Sequence, residues 1–145
     1  MSLHILLVED NPAHAKIILH GLRGLGRPHS IRHVTDGDLA LDYVYGRGSY
    51  KDRQSYPAPE LILLDLRLPR MDGFEVLQQI KSDRQTRSIP VIVMTSSDRR
   101  EDRQRCEDYG AEVFMTKPVD FSDLFQWLDS LERQPRRHDL QETDA

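Results

Sequence analysis

The sequence predicts an α/β fold, an open parallel sheet covered by helices on both faces, and three observations carry that prediction. Apolar runs of strand length alternate with segments of helical period in five βα pairs along the chain. Two of the runs, Leu61-Ile62-Leu63-Leu64 and Val91-Ile92-Val93-Met94, are apolar without interruption, the pattern of parallel strands buried on both faces. A chain of 145 residues suffices for a single core and leaves no room for a separate output or substrate domain.

Taken in order, Leu3 to Val8 is the first strand and Pro12 to Leu25 the first helix. Ala15, Ile18, Leu19, Leu22 and Leu25 share one helical face, Pro12 suits the first turn, and Gly24 and Gly26 mark the exit. Ile31 to Val34 is short and half-polar, which predicts an edge strand, and a helix follows over Gly37 to Tyr45. The two continuous apolar runs are expected at the centre of the sheet, and Val113-Phe114-Met115 supplies a short fifth strand. The remaining helices are predicted near Gly73 to Ser82, Arg99 to Tyr109 and Phe121 to Arg133. Residues 1–133 thus form one domain. Gly46 to Pro59 and the polar tail over 134–145 read as loop or disordered surface.

Composition narrows the function classes. Twenty Lys+Arg against 24 Asp+Glu give a net charge of −4, with 38% hydrophobic and 30% charged residues, as in globular rather than disordered or membrane proteins. No run approaches the roughly 18 apolar residues of a spanning helix. The N-terminus lacks a basic n-region, and the single Cys106 excludes an internal disulfide, so a cytoplasmic location is expected. Arg99, Arg100, Arg103, Arg105 and the Arg136-Arg137 pair are interleaved with acidic residues, which argues for a solvated face rather than nucleic-acid binding. His4, His14, His20, His29, His33 and His138 show no metal-ligand spacing and are assigned no role.

The polar residues of greatest interest follow predicted strands. Glu9 and Asp10 follow the first, Asp65 the third, Thr95 the fourth and Lys117 the fifth. In a parallel sheet these ends converge on one edge, where ligands bind. Three carboxylates there repel one another unless Lys117 or a cation offsets them, and an all-oxygen cluster favours a hard ion such as Mg²⁺. With its charge shielded, an aspartate can attack phosphorus to form an aspartyl phosphate, whose oxygens Lys117 and Thr95 are placed to bind. Taken singly, Glu9-Asp10 is better explained as helix capping; Asp65, at the mouth of a buried strand, needs a partner.

These residues fall in the motifs Leu7-Val8-Glu9-Asp10-Asn11, Leu63-Leu64-Asp65-Leu66, Leu68-Pro69-Arg70-Met71-Asp72-Gly73, Met94-Thr95-Ser96 and Thr116-Lys117-Pro118. In this order and spacing the chain resembles the receiver domain of two-component response regulators, of the single-domain, chemotaxis-regulator-like type. The resemblance implies a flavodoxin-like five-stranded sheet of order 2-1-3-4-5. It implies that Asp65 accepts a phosphoryl group from a phosphohistidine of a sensor kinase. Glu9, Asp10, Asp65 and the backbone carbonyl of Arg67 would hold Mg²⁺, with Lys117 as charge compensation and Thr95 as switch hydroxyl. Such a protein is a phosphoacceptor that assists its own phosphorylation and dephosphorylation rather than an enzyme. Pro118 resembles the family's cis-proline position.

By the same resemblance Phe114 is the aromatic switch, turning inward when Thr95 moves toward phosphate and repacking the face of the fourth helix, fifth strand and fifth helix; the alternative is a plain core residue. The predicted fourth helix has only Cys106 and Tyr109 as core residues, so it is expected to be loosely held. Phe121, Leu124, Phe125, Leu128 and Leu131 form a stripe on the last helix with Trp127 at its margin, either core or a dimer anchor. The Gly46 to Pro59 insertion resembles the subgroup that partners bacterial phytochromes and hybrid kinases, whose members often form homodimers through the fourth- and fifth-helix face. Ile17, opposite the core stripe of the first helix, is a candidate kinase contact.

Three rivals remain at this point. A haloacid-dehalogenase-type phosphatase needs a second aspartate two positions after the nucleophile, where Arg67 stands. A flavin-binding module needs a first loop free of the charge that Glu9-Asp10 brings. A receiver-like dimerisation or adaptor module working without phosphorylation would not need the acidic pocket.

Overall fold

The structure, a computed structural model, describes residues 2–132. The polar tail over 134–145 and the predicted helix end at Arg133 lie outside the described residues. Five parallel strands, β1 (Leu3–Val8), β2 (His29–Val34), β3 (Leu61–Leu64), β4 (Val91–Thr95) and β5 (Val113–Thr116), form one sheet of order β2-β1-β3-β4-β5. The helices α1 (Pro12–Leu22), α2 (Gly37–Tyr45), α3 (Gly73–Ser82), α4 (Arg100–Asp108) and α5 (Phe121–Glu132) lie in the connections or after the last strand. The predicted order and the edge position of β2 both hold.

Side chains of successive strand residues point to opposite faces, and this alternation divides the core in two. Leu6, Val8, Ile62, Leu64, Val91 and Val93 pack with the α2, α3 and α4 side, including Val44, Val76 and Cys106. Ile5, Leu7, Leu61, Leu63, Ile92 and Met94 pack with Ile18 and Leu22 of α1 and Leu124 and Leu128 of α5. Strands β1, β3 and β4 are therefore buried on both faces and β2 is not, which explains the contrast between their continuous apolar runs and the half-polar HSIRHV of β2. Trp127 is half-buried against the second cluster.

Three expectations need correction. The first helix ends at Leu22 and tightens into a 3₁₀ turn over Arg23–Leu25, because Gly24 weakens the helix and Gly26 takes a left-handed φ of 73°. Strand β2 begins at His29, not Ile31: pairing with Leu3 and His4 of β1 extends it where its own side chains give no strand signal.

The third concerns the insertion over 46–59: it is a loop, as expected, but an ordered one, folded onto α2. Gly46 closes α2 in the left-handed region, and Arg53 donates to the terminal carbonyls of Tyr43 at 2.8 Å and Val44 at 2.7 Å, and to Tyr56 at 3.1 Å. A guanidinium thus satisfies acceptors that a helix end leaves open. Tyr43, Tyr50 and Tyr56 meet edge to face with centroids 5.0–6.4 Å apart, and Arg32 of β2 stacks 4.8 Å over Tyr56. Arg53→Ala is expected to cost about 1–3 kcal/mol and to speed amide exchange over the insertion, as read by denaturant titration and hydrogen exchange.

Candidate functional site

The ladder continues past the strand ends and fixes the site. Asp65 N–H donates to the Val8 carbonyl at 3.0 Å, Glu9 N–H to Val34 at 3.1 Å, and Lys117 N–H to Thr95 at 2.7 Å. These bonds hold Glu9, Asp65, Thr95 and Lys117 at the carboxyl edge of one sheet. Asn11 accepts from the amides of Ala13 and His14 at 2.9 and 3.1 Å, capping α1, while its own N–H donates to Glu9 Oε2 at 3.2 Å. The peptide bond between Lys117 and Pro118 is cis.

Carboxylate oxygens of Glu9, Asp10 and Asp65 lie within 4.8 Å of one another. Glu9 is 1% exposed and Asp65 6%, whereas Asp10 faces solvent, so the cluster is buried on one side and open on the other. Lys117 Nζ donates to Asp65 Oδ2 at 3.2 Å and forms an ion pair with Glu9 Oε1. It also lies 3.0 Å from His14 Nδ1. Burial pushes the Glu9 carboxyl above its ordinary value, and the neighbouring Asp65 adds to this, while the hydrogen bond from Lys117 pulls it back down. One ammonium among three carboxylates leaves a net negative site. Its all-oxygen donors, one of them open to water, fit a hard divalent cation.

Glu9, Asp10, Asp65 and Lys117 come together; Thr95 ends its strand at the same edge with its side chain buried, and Phe114 is not among the residues that line the acidic cluster. Thr95 is fully buried, its hydroxyl accepting from the Ser97 amide at 3.2 Å. Phe114 is half-buried on β5 against the first core cluster. Arg67 follows Asp65 in the same turn, and its amide donates to Asp65 Oδ1 at 3.2 Å. Two residues were missed. His14 faces Lys117 from the first turn of α1, and its spacing four residues after Asp10, on a helix that starts at the pocket, was the available signal. His33 Nε2 lies 2.7 Å from the Glu9 carbonyl, a contact set by the β1–β2 register, which local sequence does not reveal.

Gly73 brings the start of α3 against the Asp65 turn. Its N–H donates to Leu66 O at 2.9 Å, and a Cβ there would fall 2.4 Å from the Asp65 carbonyl and 2.5 Å from Leu66 Cα. Both are backbone atoms that cannot yield. Gly73→Ala is expected to destabilise by about 1–3 kcal/mol in thermal denaturation, and to weaken divalent-cation binding because the same turn orients Asp65.

A doubly wound parallel sheet with three carboxylates, a lysine and a buried hydroxyl at its carboxyl edge defines an α/β domain whose acidic cluster could hold a divalent cation. The chain belongs to the response regulator receiver domain family, which it matches over residues 5–129. It is 39% identical over 127 residues to the probable methanogenesis regulatory protein FilR2 of Methanothrix harundinacea, covering 88% of this chain and 79% of that one. The structure of the phosphorylated cyanobacterial phytochrome response regulator RcpA superposes with a TM-score of 0.76 at 38% identity, over 91% of this chain and 92% of that one. The Mn²⁺-bound form of response regulator Rcp1, a protein of Synechocystis sp., gives 0.74 at 34% identity, over 90% and 91%. Among the described residues no helix is long and apolar enough to cross a membrane.

Proposed function

We propose that this protein is a single-domain, cytoplasmic response regulator that accepts a phosphoryl group on Asp65 from the phosphohistidine of a sensor kinase, and passes the signal on through a changed protein-binding surface. The observation that carries the reading is the bridge from Lys117 to both Glu9 and Asp65, two nearly buried carboxylates at the sheet's carboxyl edge. A structural ion pair needs one acid; this site keeps a second acid beside it and a third, Asp10, open to water.

In the transfer, an Asp65 carboxylate oxygen attacks phosphorus, the P–N bond to the kinase imidazole breaks, and its electron pair returns to the ring nitrogen. Lys117 turns from Glu9 to the incoming phosphoryl oxygens, and Thr95 donates its hydroxyl to one of them. Glu9, Asp10, Asp65 and the Arg67 carbonyl would hold Mg²⁺, which when bound neutralises charge shared by the carboxylates and the phosphoryl group. A Mn²⁺-bound relative with the same fold supports a divalent ion here.

The kinase is proposed to dock beside this pocket. Ile17 is 58% exposed next to a cavity of about 290 Å³ that His14, Ile18, Lys117, Pro118 and Val119 also line. Likeness to the phytochrome response regulator RcpA supports a phytochrome-type kinase as the donor. The output is proposed to be the face of α4, β5 and α5, through which two copies pair when Asp65 is phosphorylated; neither nucleic acid nor membrane is expected as a partner.

The test is intact mass after incubation with Mg²⁺ and acetyl phosphate, with size-exclusion chromatography of the same sample. A Mg²⁺-dependent adduct of one phosphoryl group with a shift in size is expected. Dimerisation with no adduct under any condition would instead make the protein a phosphorylation-independent adaptor.

A further inference from the structure

Helix α4 is fastened to the domain by contacts other than aliphatic packing. Its nine residues, REDRQRCED, include no aliphatic or aromatic side chain, and Cys106 alone is buried. Two guanidinium groups take the place of an apolar stripe. Arg103 lies 5.1 Å from the ring centroid of Phe114 on β5, and Arg105 lies 4.1 Å from that of Phe74 on α3 and 5.5 Å from that of Tyr109. Arg103 precedes Cys106 by three residues, so the two are neighbours along the helix, Cys106 buried and Arg103 exposed with its guanidinium reaching the Phe114 ring.

The start of the same helix is tied to Thr95. Its Oγ1 accepts the Ser97 N–H at 3.2 Å, and Ser97 Oγ donates to Asp102 Oδ2 at 2.5 Å while accepting the Arg99 N–H at 3.2 Å. A continuous set of contacts therefore runs from the Thr95 hydroxyl through Ser97 and Asp102 to α4, and from Arg103 to the Phe114 ring. Phe114 has no hydroxyl to fix its orientation by hydrogen bonding. Among the described residues, Arg103 supplies its directional contact.

We propose that Arg103 is a latch on Phe114. Its guanidinium, stacked on the ring, holds α4 and β5 in the arrangement of this structure, and it is withdrawn when the Thr95 hydroxyl leaves the Ser97 amide for a phosphoryl oxygen. The release rests on the phosphoacceptor reading above, whereas the latch itself belongs to the unmodified chain and is measurable there. A cation over an aromatic face near the surface biases an equilibrium by roughly two- to fivefold. That is enough to set the resting state and weak enough for a phosphoryl group to override.

The test uses the full chain with 4-fluorophenylalanine at position 114, as wild type, Arg103→Met and Arg103→Lys. Met keeps much of the side-chain bulk without the charge; Lys keeps the charge. In metal- and phosphate-free buffer, the fluorine resonance of Arg103→Met should shift or broaden as the ring samples a second position, and Arg103→Lys, which keeps the charge without the planar guanidinium, should fall between Arg103→Met and wild type. With Mg²⁺ and acetyl phosphate, Arg103→Met should be phosphorylated two- to fivefold faster. A fluorine spectrum unchanged by Arg103→Met overturns the latch, whatever the chemistry at Asp65. An Arg103→Lys spectrum that matches Arg103→Met overturns it too, since loss of bulk and not of charge would then be responsible. If wild type is never phosphorylated but Arg103→Met alone changes the fluorine spectrum, the latch stands and the phosphoacceptor reading falls.

Discussion

Asp65→Asn, incubated with Mg²⁺ and acetyl phosphate, should show no phosphoryl adduct while remaining as stably folded as wild type. The two halves of this expectation have separate causes. Loss of the adduct follows from chemistry: an amide oxygen is a poor nucleophile, and Lys117 has no carboxylate at position 65 to hold toward phosphorus. Retention of the fold follows from geometry. Asn at 65 keeps an oxygen to accept the Arg67 N–H, Lys117 keeps its ion pair with Glu9, and the substitution removes one negative charge from a crowded cluster. The Glu9 carboxyl, raised chiefly by burial and further by Asp65, should then titrate closer to its ordinary value. Intact mass reads the first half and the thermal midpoint the second. An adduct that persists in Asp65→Asn would move the acceptor elsewhere, and a collapse of the fold would mean that Asp65 is held for structure.

The alternation of strands and helices and the edge on which function gathers were legible in the sequence because burial on both faces leaves a signature that polar residues can interrupt only at strand ends, whereas the order of the strands followed from the family resemblance. Leu61 to Leu64 followed by Asp65 is that signature in five residues. What was not legible depended on contacts between distant segments. The clasp of Arg53 on the end of α2 joins residues nine or ten apart through backbone carbonyls, which carry no side-chain pattern. His14 carries no ligand spacing in the sequence; the direction in which α1 leaves the pocket is what brings it to Lys117. For α4 the sequence correctly pointed to weak apolar attachment, but the arginines, read as a solvated face, turn out in part to cover the rings of Phe74 and Phe114. Arginine stems and planes pack on aromatic faces as well as in water, so charge patterning alone does not separate the two cases.

Lys117→Ala should separate phosphorylation from its consequence, and it should also be the most destabilising of these substitutions in metal-free buffer. Lys117 is the common partner of Glu9 and Asp65, and without it two nearly buried carboxylates face each other and the exposed Asp10. An uncompensated buried charge costs about 3 kcal/mol, or roughly 10 °C in thermal midpoint for a domain of this size. The pH dependence has a definite sign. Glu9 already titrates above its unfolded value in the folded chain, and removing the lysine that opposes this shift raises it further. A carboxyl whose folded pKa is raised penalises folding above that pKa, and the penalty fades as pH falls through it. The gap between Lys117→Ala and wild type should therefore narrow on acidification, and narrow also when Mg²⁺ is added at neutral pH, because a cation offsets the same charge. Asp65 is still present as nucleophile, so with Mg²⁺ and acetyl phosphate the adduct should form. The change in chromatographic size should not follow, because the phosphoryl oxygens lack the ammonium that would draw β5, and with it Phe114, toward the site. A full size shift in phosphorylated Lys117→Ala would show that Thr95 alone transmits the signal, and a gap in stability that widens on acidification would contradict a Glu9 carboxyl raised by burial and held down by Lys117.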